Sequence, residues 1–407
     1  MFVFCCILIF LVLVEIKVKQ YLIKSGLLLK EFPKVDQNVI KKYKTFHSKL
    51  GWKPIETKNH PDNTGSYIGL PTETSYSIDK SGSRTFNNHP IQTDITTFGD
   101  SFCMCREVND TETLQYFLSQ KTSSFVTNYG VGNYGIDQAL LRLEAINLSN
   151  MVNHIIMIIT PWTIERIISV WKHYCEPGNI LAAKPRFILS NGRLKLIDNF
   201  IKQPSDFFFV KKHKNFLHKY DGNYPFFQEQ ESNLSKTALV KLFKDKKLFD
   251  FLRASMDAQL KRKKGIRREI IVKDFLKLAE PFLIEKFNHE NTYLQMLYQK
   301  EEMLLEAIVK RFVNFCLSQK KTPYLLVLPA YTHITFIKNG NDLYRSVFRT
   351  ISNKYNLKYI DMFDHLSQFD QNLLKTMYVD IYGHHSAKGN EYVATTIYNR
   401  WFKTTQL

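Results

Sequence analysis

The sequence predicts an α/β protein whose parallel sheet is covered by helices on both faces. Three observations predict it. Short apolar runs alternate with stretches of helical spacing. One of those runs, His154-Ile-Ile-Met-Ile-Ile159, is continuously apolar, as in a strand buried on both sides. The chain of 407 residues is long enough to bury a full core.

In chain order, residues 30–90 are rich in Asn, Thr, Pro and Lys and read as an approach segment of short strands and turns. Gly51-Trp52 and Gly82-Ser83-Arg84 are turn signals within it. The first core strand is Ile91-Gln-Thr-Asp-Ile-Thr-Thr-Phe98, which runs straight into Gly99. A helix is expected over 111–120. A second strand opens at Val126-Thr127 and stops at the loop Asn128-Tyr-Gly-Val-Gly-Asn-Tyr-Gly135. Helical spacing over 136–146, the strand at 154–159 and a helix over 164–174 follow.

From 178 to about 300 the chain turns Lys-rich, with helical patterning over 237–253, 269–279 and 284–319. It carries the charge run Lys261-Arg-Lys-Lys-Gly-Ile-Arg-Arg268, which reads as a solvated face. The core resumes at Tyr324-Leu-Leu-Val-Leu-Pro329, continues through a helix near 341–355 and the strand Lys358-Tyr-Ile-Asp-Met362, and ends in a helix over 387–402. Four regions result: an N-terminal anchor or signal-like segment (1–23), the approach segment (24–90), a core formed by 91–177 with 320–407, and a basic, mostly helical insertion (178–319).

The net charge of +18 raises nucleic acid, an anionic membrane surface or an anionic substrate as partners. The lysines are spread widely and no nucleic-acid-binding module is present, so nucleic acid is not expected. Six cysteines show neither CxxC nor zinc-ligand spacing, so no metal site is expected. The first fourteen residues, MFVFCCILIFLVLV, are wholly apolar and read as a membrane anchor or signal-like leader. The lysines at 17, 19 and 24 argue for a cytoplasmic body by the positive-inside rule.

The chemistry lies in two motifs. Gly99-Asp100-Ser101 follows the first strand, and Asp380-Ile-Tyr-Gly-His384-His385-Ser-Ala-Lys-Gly389-Asn390 stands near the end. A serine hydroxyl attacks an ester only when an imidazole takes its proton, and a carboxylate must orient that imidazole. In parallel sheets the reactive loops sit beyond the carboxyl ends of the strands, so the loops after 99, 128 and 160 are expected on one edge.

Gly-Asp-Ser-Phe after the first strand, Asn-x-Gly-x-Gly after the second and a late His-x-Ser-x-x-Gly-Asn resemble the SGNH (GDSL-like) hydrolase superfamily, nearest its membrane-associated branch. The likeness covers about 80–175 and 320–400. It implies a flavodoxin-like three-layer αβα sandwich and a serine esterase acting on an acyl or acetyl ester, without a cofactor. An O-acyltransferase and a catalytically degenerate binding or assembly protein are the alternatives. By this resemblance Ser101 is the nucleophile, His384 the base with His385 as runner-up, and Asp380 the orienting acid. Asp380 stands one residue further from the histidine than the family's Asp-x-x-His spacing, and Asp361 and Asp364 are substitutes. The backbone N–H groups of Ser101 and Asn133, with Thr163, would form the oxyanion hole. Asn133 stands where the family has glycine, and Asn tolerates a left-handed turn. Glu165 and Arg166 read as a charge pair at a helix start. Members of the family usually face outward, which makes an extracytoplasmic domain and an acylated small-molecule, glycan or lipid-linked substrate the expectation, with the membrane engaged through the N-terminal segment.

Overall fold

The computed structural model describes residues 31–33, 35–42, 45–61, 73–86, 93–176, 181–228, 245–381 and 383–403, together with residues 12, 15, 16 and 19. Most of the expected N-terminal anchor lies outside these residues. Among the described residues no helix is long and apolar enough to cross a membrane.

Five parallel strands form the central sheet: β1 (Thr93–Gly99), β2 (Phe125–Gly130), β3 (His154–Ile159), β4 (Thr322–Val327) and β5 (Lys358–Asp361). Their order is β5-β4-β3-β1-β2, the doubly wound order of flavodoxin-like sheets. Registers bring the strand ends level. Gly99 stands opposite Gly130 on one side and Ile158 on the other, and Val327 stands opposite Ile159 and Asp361. The loops after every strand therefore emerge along one edge.

Helices cover both faces. On one, α2 (Leu114–Thr122) packs against α7 (Ala387–Ile397); on the other lie α3 (Ile136–Ala145), α5 (Glu302–Ser318) and α6 (Arg345–Lys354). Two further short helices, α1 (Ser101–Met104) and α4 (Thr163–Ile167), stand on the loop edge. The strand interiors are apolar, and the fully buried Ile155, Ile156, Met157 and Ile158 form the centre of the core. Thr96 and Thr97 are buried beside them because their hydroxyls are paired, to the Thr127 hydroxyl at 2.7 Å and the Thr127 carbonyl at 2.9 Å.

The sheet belongs to a compact unit of Lys44–Ile167, Pro185–Asn199 and Phe287–Leu407. It thus takes in both ends of the stretch read as an insertion: the hairpin Arg186–Ser190/Arg193–Ile197 and helix α5. The described residues of Met1–Tyr43, Ile168–Lys184 and Phe200–Lys286 form a second unit, which holds the helix Lys246–Lys263. The helix expected over 164–174 stops at Ile167. Val170 and Trp171 donate their N–H groups to the Asp221 carboxylate, each at 2.7 Å, instead of to the preceding turn.

The end of β1 tolerates no side chain. A Cβ on Gly99 would stand 1.8 Å from the Ile158 carbonyl oxygen of the neighbouring strand. Gly99→Ala must push β1 and β3 apart and is expected to destabilise the protein by about 3 kcal/mol. Urea unfolding will show this as a lowered midpoint at unchanged slope.

Candidate active site

At the end of β1, Asp100 caps α1 by accepting the Phe102 N–H at 2.9 Å, which makes Ser101 the first residue of that helix. The second Asp100 oxygen accepts the Thr160 N–H at 3.1 Å, the Thr160 hydroxyl at 2.7 Å and an Arg166 N–H at 3.1 Å. Arg166 also donates to the Tyr134 carbonyl at 3.2 Å. One buried carboxylate therefore ties together the loops after β1, β2 and β3. Arg166 is an inward partner of Asp100, whose loop follows the neighbouring strand, a contact that its position beside Glu165 in the sequence does not suggest. Ser101 itself is buried, and its hydroxyl has no hydrogen-bond partner among the described residues.

His384 reaches this edge on the turn after α6 and β5. Its Nδ1 lies 3.0 Å from the Glu107 carboxylate, and its backbone N–H donates to the same oxygen at 2.9 Å. The carboxylate hydrogen-bonded to the His384 ring is thus that of Glu107, a residue not among those expected from the sequence. Asp380 closes the tight turn in which its carbonyl accepts the Gly383 N–H at 3.0 Å. Gly383 clears the approach, because a Cβ there would stand 3.0 Å from the Glu107 carboxylate. Asp361 and Asp364 are engaged elsewhere: Asp361 accepts from Tyr344 and Arg345, and Asp364 pairs with Arg345. The Glu107 side chain is 1% exposed and that of His384 21%, so the carboxylate is sealed while the ring is reachable. With Nδ1 held by a carboxylate, Nε2 is left to accept a proton.

Burial alone would raise the Glu107 pKa. Hydrogen bonds and charge from His384, helped by Arg106, outweigh it and hold the carboxyl below its ordinary value. His385 is a different case. It packs edge-on against Phe102 and tilted against Tyr378, and both ring nitrogens lack hydrogen-bond partners among the described residues. Burial, followed by the neighbouring His384, pushes its pKa down to about 3, so it stays neutral. Of the two histidines, His384 holds the carboxylate. Its ring also lies 4.8 Å from that of Phe102, the residue after Ser101.

Glu107 sits in an unusual backbone conformation, with φ +68°. A bulky residue adopts this only when its surroundings impose it. Arg84 imposes it. Its guanidinium, buried, donates to the carbonyls of Met104 at 2.9 Å, of Cys105, and of Val108 at 2.6 Å, while its Nε pairs with Asp110 at 2.8 Å. The turn that carries Glu107 is wrapped around this one cation. Nothing in the Gly82-Ser83-Arg84 turn signal marks this role. The extra residue between Asp380 and His384 is the one signal in the sequence that a carboxylate from elsewhere faces the histidine.

Asn133 adopts the expected left-handed conformation, φ +64°. The loop it sits in lies against the Ser101 helix: a Cβ on Gly130 would stand 2.3 Å from the Met104 nitrogen. Among the described residues, neither the Ser101 nor the Asn133 N–H has a hydrogen-bond acceptor. Thr163, the third expected donor, is tied to the loop after β2. It is fully buried, and its hydroxyl accepts the Ile136 N–H at 2.8 Å, capping α3. It braces the loops after β2 and β3. No group of three His, Cys, Asp or Glu side chains among the described residues is arranged to hold a metal ion.

Two outcomes follow from this geometry. Arg84→Met leaves three carbonyls and Asp110 without their partner and is expected to cost about 3–5 kcal/mol, read by thermal or urea unfolding. The depressed Glu107 pKa stabilises the fold above the ordinary carboxyl value of 4.5. That contribution is lost as pH falls through the lower folded value. Stability measured against pH should therefore fall less steeply on acidification in Glu107→Gln than in the unmodified protein.

No protein-family model matches this chain, and no curated protein matches it. Among solved structures, a protein of the G-D-S-L lipolytic family from Desulfitobacterium hafniense aligns at 11% identity over 74% of this chain and 96% of its own, with a TM-score of 0.33. A second solved structure aligns at 11% identity over 75% of this chain and 94% of its own, with a TM-score of 0.34.

Proposed function

We propose that this protein is a serine esterase in which Ser101, His384 and Glu107 form the catalytic relay. The observation that carries the reading is the double hydrogen bond from His384 to the sealed Glu107 carboxylate, beside the helix that Ser101 opens. A carboxylate buried with no other purpose would cost stability; here it fixes one tautomer of a partly exposed imidazole. The unspent N–H groups of Ser101 and Asn133 supply the donors that a developing oxyanion needs.

In the reaction, His384 Nε2 takes the Ser101 hydroxyl proton as Oγ bonds to the ester carbonyl carbon. The carbonyl oxygen becomes negative and receives the two N–H groups. Collapse breaks the ester C–O bond, and His384 returns its proton to the departing alcohol. Water then repeats the sequence, releasing the acid and restoring Ser101. Glu107 stays ionised throughout and balances the imidazolium. Among the described residues the Ser101 hydroxyl has no hydrogen-bond partner; such contacts often close only when substrate is bound.

Acid release from a panel of p-nitrophenyl esters and acetylated glycans tests this. Ser101→Ala is expected to abolish turnover and labelling by a serine-directed phosphonate. Glu107→Gln, which keeps the shape but loses the charge, is expected to lower kcat by about 10⁴. Asp380→Asn should leave kcat within about threefold. Equal rates for the unmodified protein and Ser101→Ala would rule the nucleophile out.

A further inference from the structure

We infer that Trp52 is a positioning residue that aims the Asn133 N–H at the oxyanion, an inference that rests on the serine-esterase reading above. The argument begins with a peptide group. In a trans peptide the C=O and N–H of one unit point in opposite directions. The unit that ends in the Asn133 N–H begins with the Gly132 carbonyl. That carbonyl accepts the Trp52 indole N–H at 3.0 Å. Holding the carbonyl toward Trp52 turns the Asn133 N–H the other way.

The indole is itself held. Trp52 is 4% exposed, and its ring meets that of Tyr134 edge-on at 5.5 Å. The Tyr134 hydroxyl donates to the Trp52 carbonyl. The Gln138 side chain donates to the Leu50 carbonyl at 2.7 Å, so the short hairpin of Phe46–His47 and Gly51–Trp52 is fastened to the start of α3. Loop and hairpin thus grip each other from both sides of the Gly132–Asn133 peptide. Without this grip a left-handed Asn flanked by Gly130 and Gly132 would have several accessible orientations for its N–H. Preorganised donors cost no reorganisation during reaction, which is why a fixed peptide is worth more than a mobile one.

Trp52→Phe removes the indole N–H and keeps an aromatic ring. Benzothienylalanine at position 52 removes only the N–H at nearly constant shape, and serves if the phenylalanine variant folds poorly. In either, kcat is expected to fall about 10- to 100-fold, less than for outright loss of an oxyanion donor. KM should stay within about twofold. Affinity for an arylboronic acid, whose tetrahedral Ser101 adduct places an oxygen in the same donors, should fall in parallel with kcat. In protein labelled with ¹⁵N at asparagine, the Asn133 amide resonance should shift.

Unchanged kcat and boronate affinity in the isosteric variant, with activity that depends on Ser101, would overturn the role of Trp52 alone. A chain whose activity survives Ser101→Ala would overturn the esterase reading instead. In that case the aim at an oxyanion falls with it, and the Asn133 resonance in the Trp52 variants decides only whether Trp52 fixes the Gly132–Asn133 peptide: unmoved, it does not; shifted, it does.

Discussion

The loop edge of this molecule hangs on the Asp100 carboxylate. Both its oxygens are engaged: one caps the Ser101 helix, and the other gathers Thr160 and Arg166. Through Arg166 the same group reaches the Tyr134 carbonyl in the loop after β2. Three loops that are far apart in sequence thereby share one buried anion. A buried carboxylate is tolerable when both its oxygens are hydrogen-bonded and a cation stands beside it, and both conditions hold here. If the carboxylate were lost, the loops would lose their common reference before any catalytic atom was touched.

A second buried charge does the corresponding work for the histidine. Arg84 collects carbonyls that the left-handed turn after α1 leaves without helical partners, and so holds Glu107 in a conformation it would not choose. The cost of that conformation is met by the charge-assisted hydrogen bonds of the guanidinium. The result is a carboxylate delivered to His384 by the loop that carries Ser101, not by the loop of the histidine. In the proposed relay, nucleophile and orienting acid are then positioned by a single short segment between Ser101 and Glu107, which reduces the number of independent parts that must align.

Much of this was legible in the sequence, and for identifiable reasons. The apolar run at 154–159 is what a doubly covered strand requires, and Gly99 directly before Asp100-Ser101 marked the end of the first strand. Asn133 declared its left-handed turn through its own tolerance of positive φ. The roles given to Asp380, Thr163 and Arg166 were less legible. Each was read from its neighbours along the chain: Asp380 from nearness to His384, Thr163 from the register of a motif, Arg166 from the adjacent Glu165. Their partners in the structure are set by the crossing of loops, which local spacing does not encode.

The sequence by itself determined the strand and helix alternation, the edge on which the reactive loops gather, and a serine and histidine delivered to that edge. Periodicity and backbone tolerance are properties of neighbouring residues, so they can be read without a fold. Only the tertiary structure decided which carboxylate faces His384, what imposes the Glu107 turn, and which way the Gly132–Asn133 peptide points. Those depend on contacts between residues as distant as Glu107 and His384, or Trp52 and Gly132. Such contacts exist only once the sheet has brought its loops to one edge, because a hydrogen bond is chosen by distance and direction and not by position in the chain.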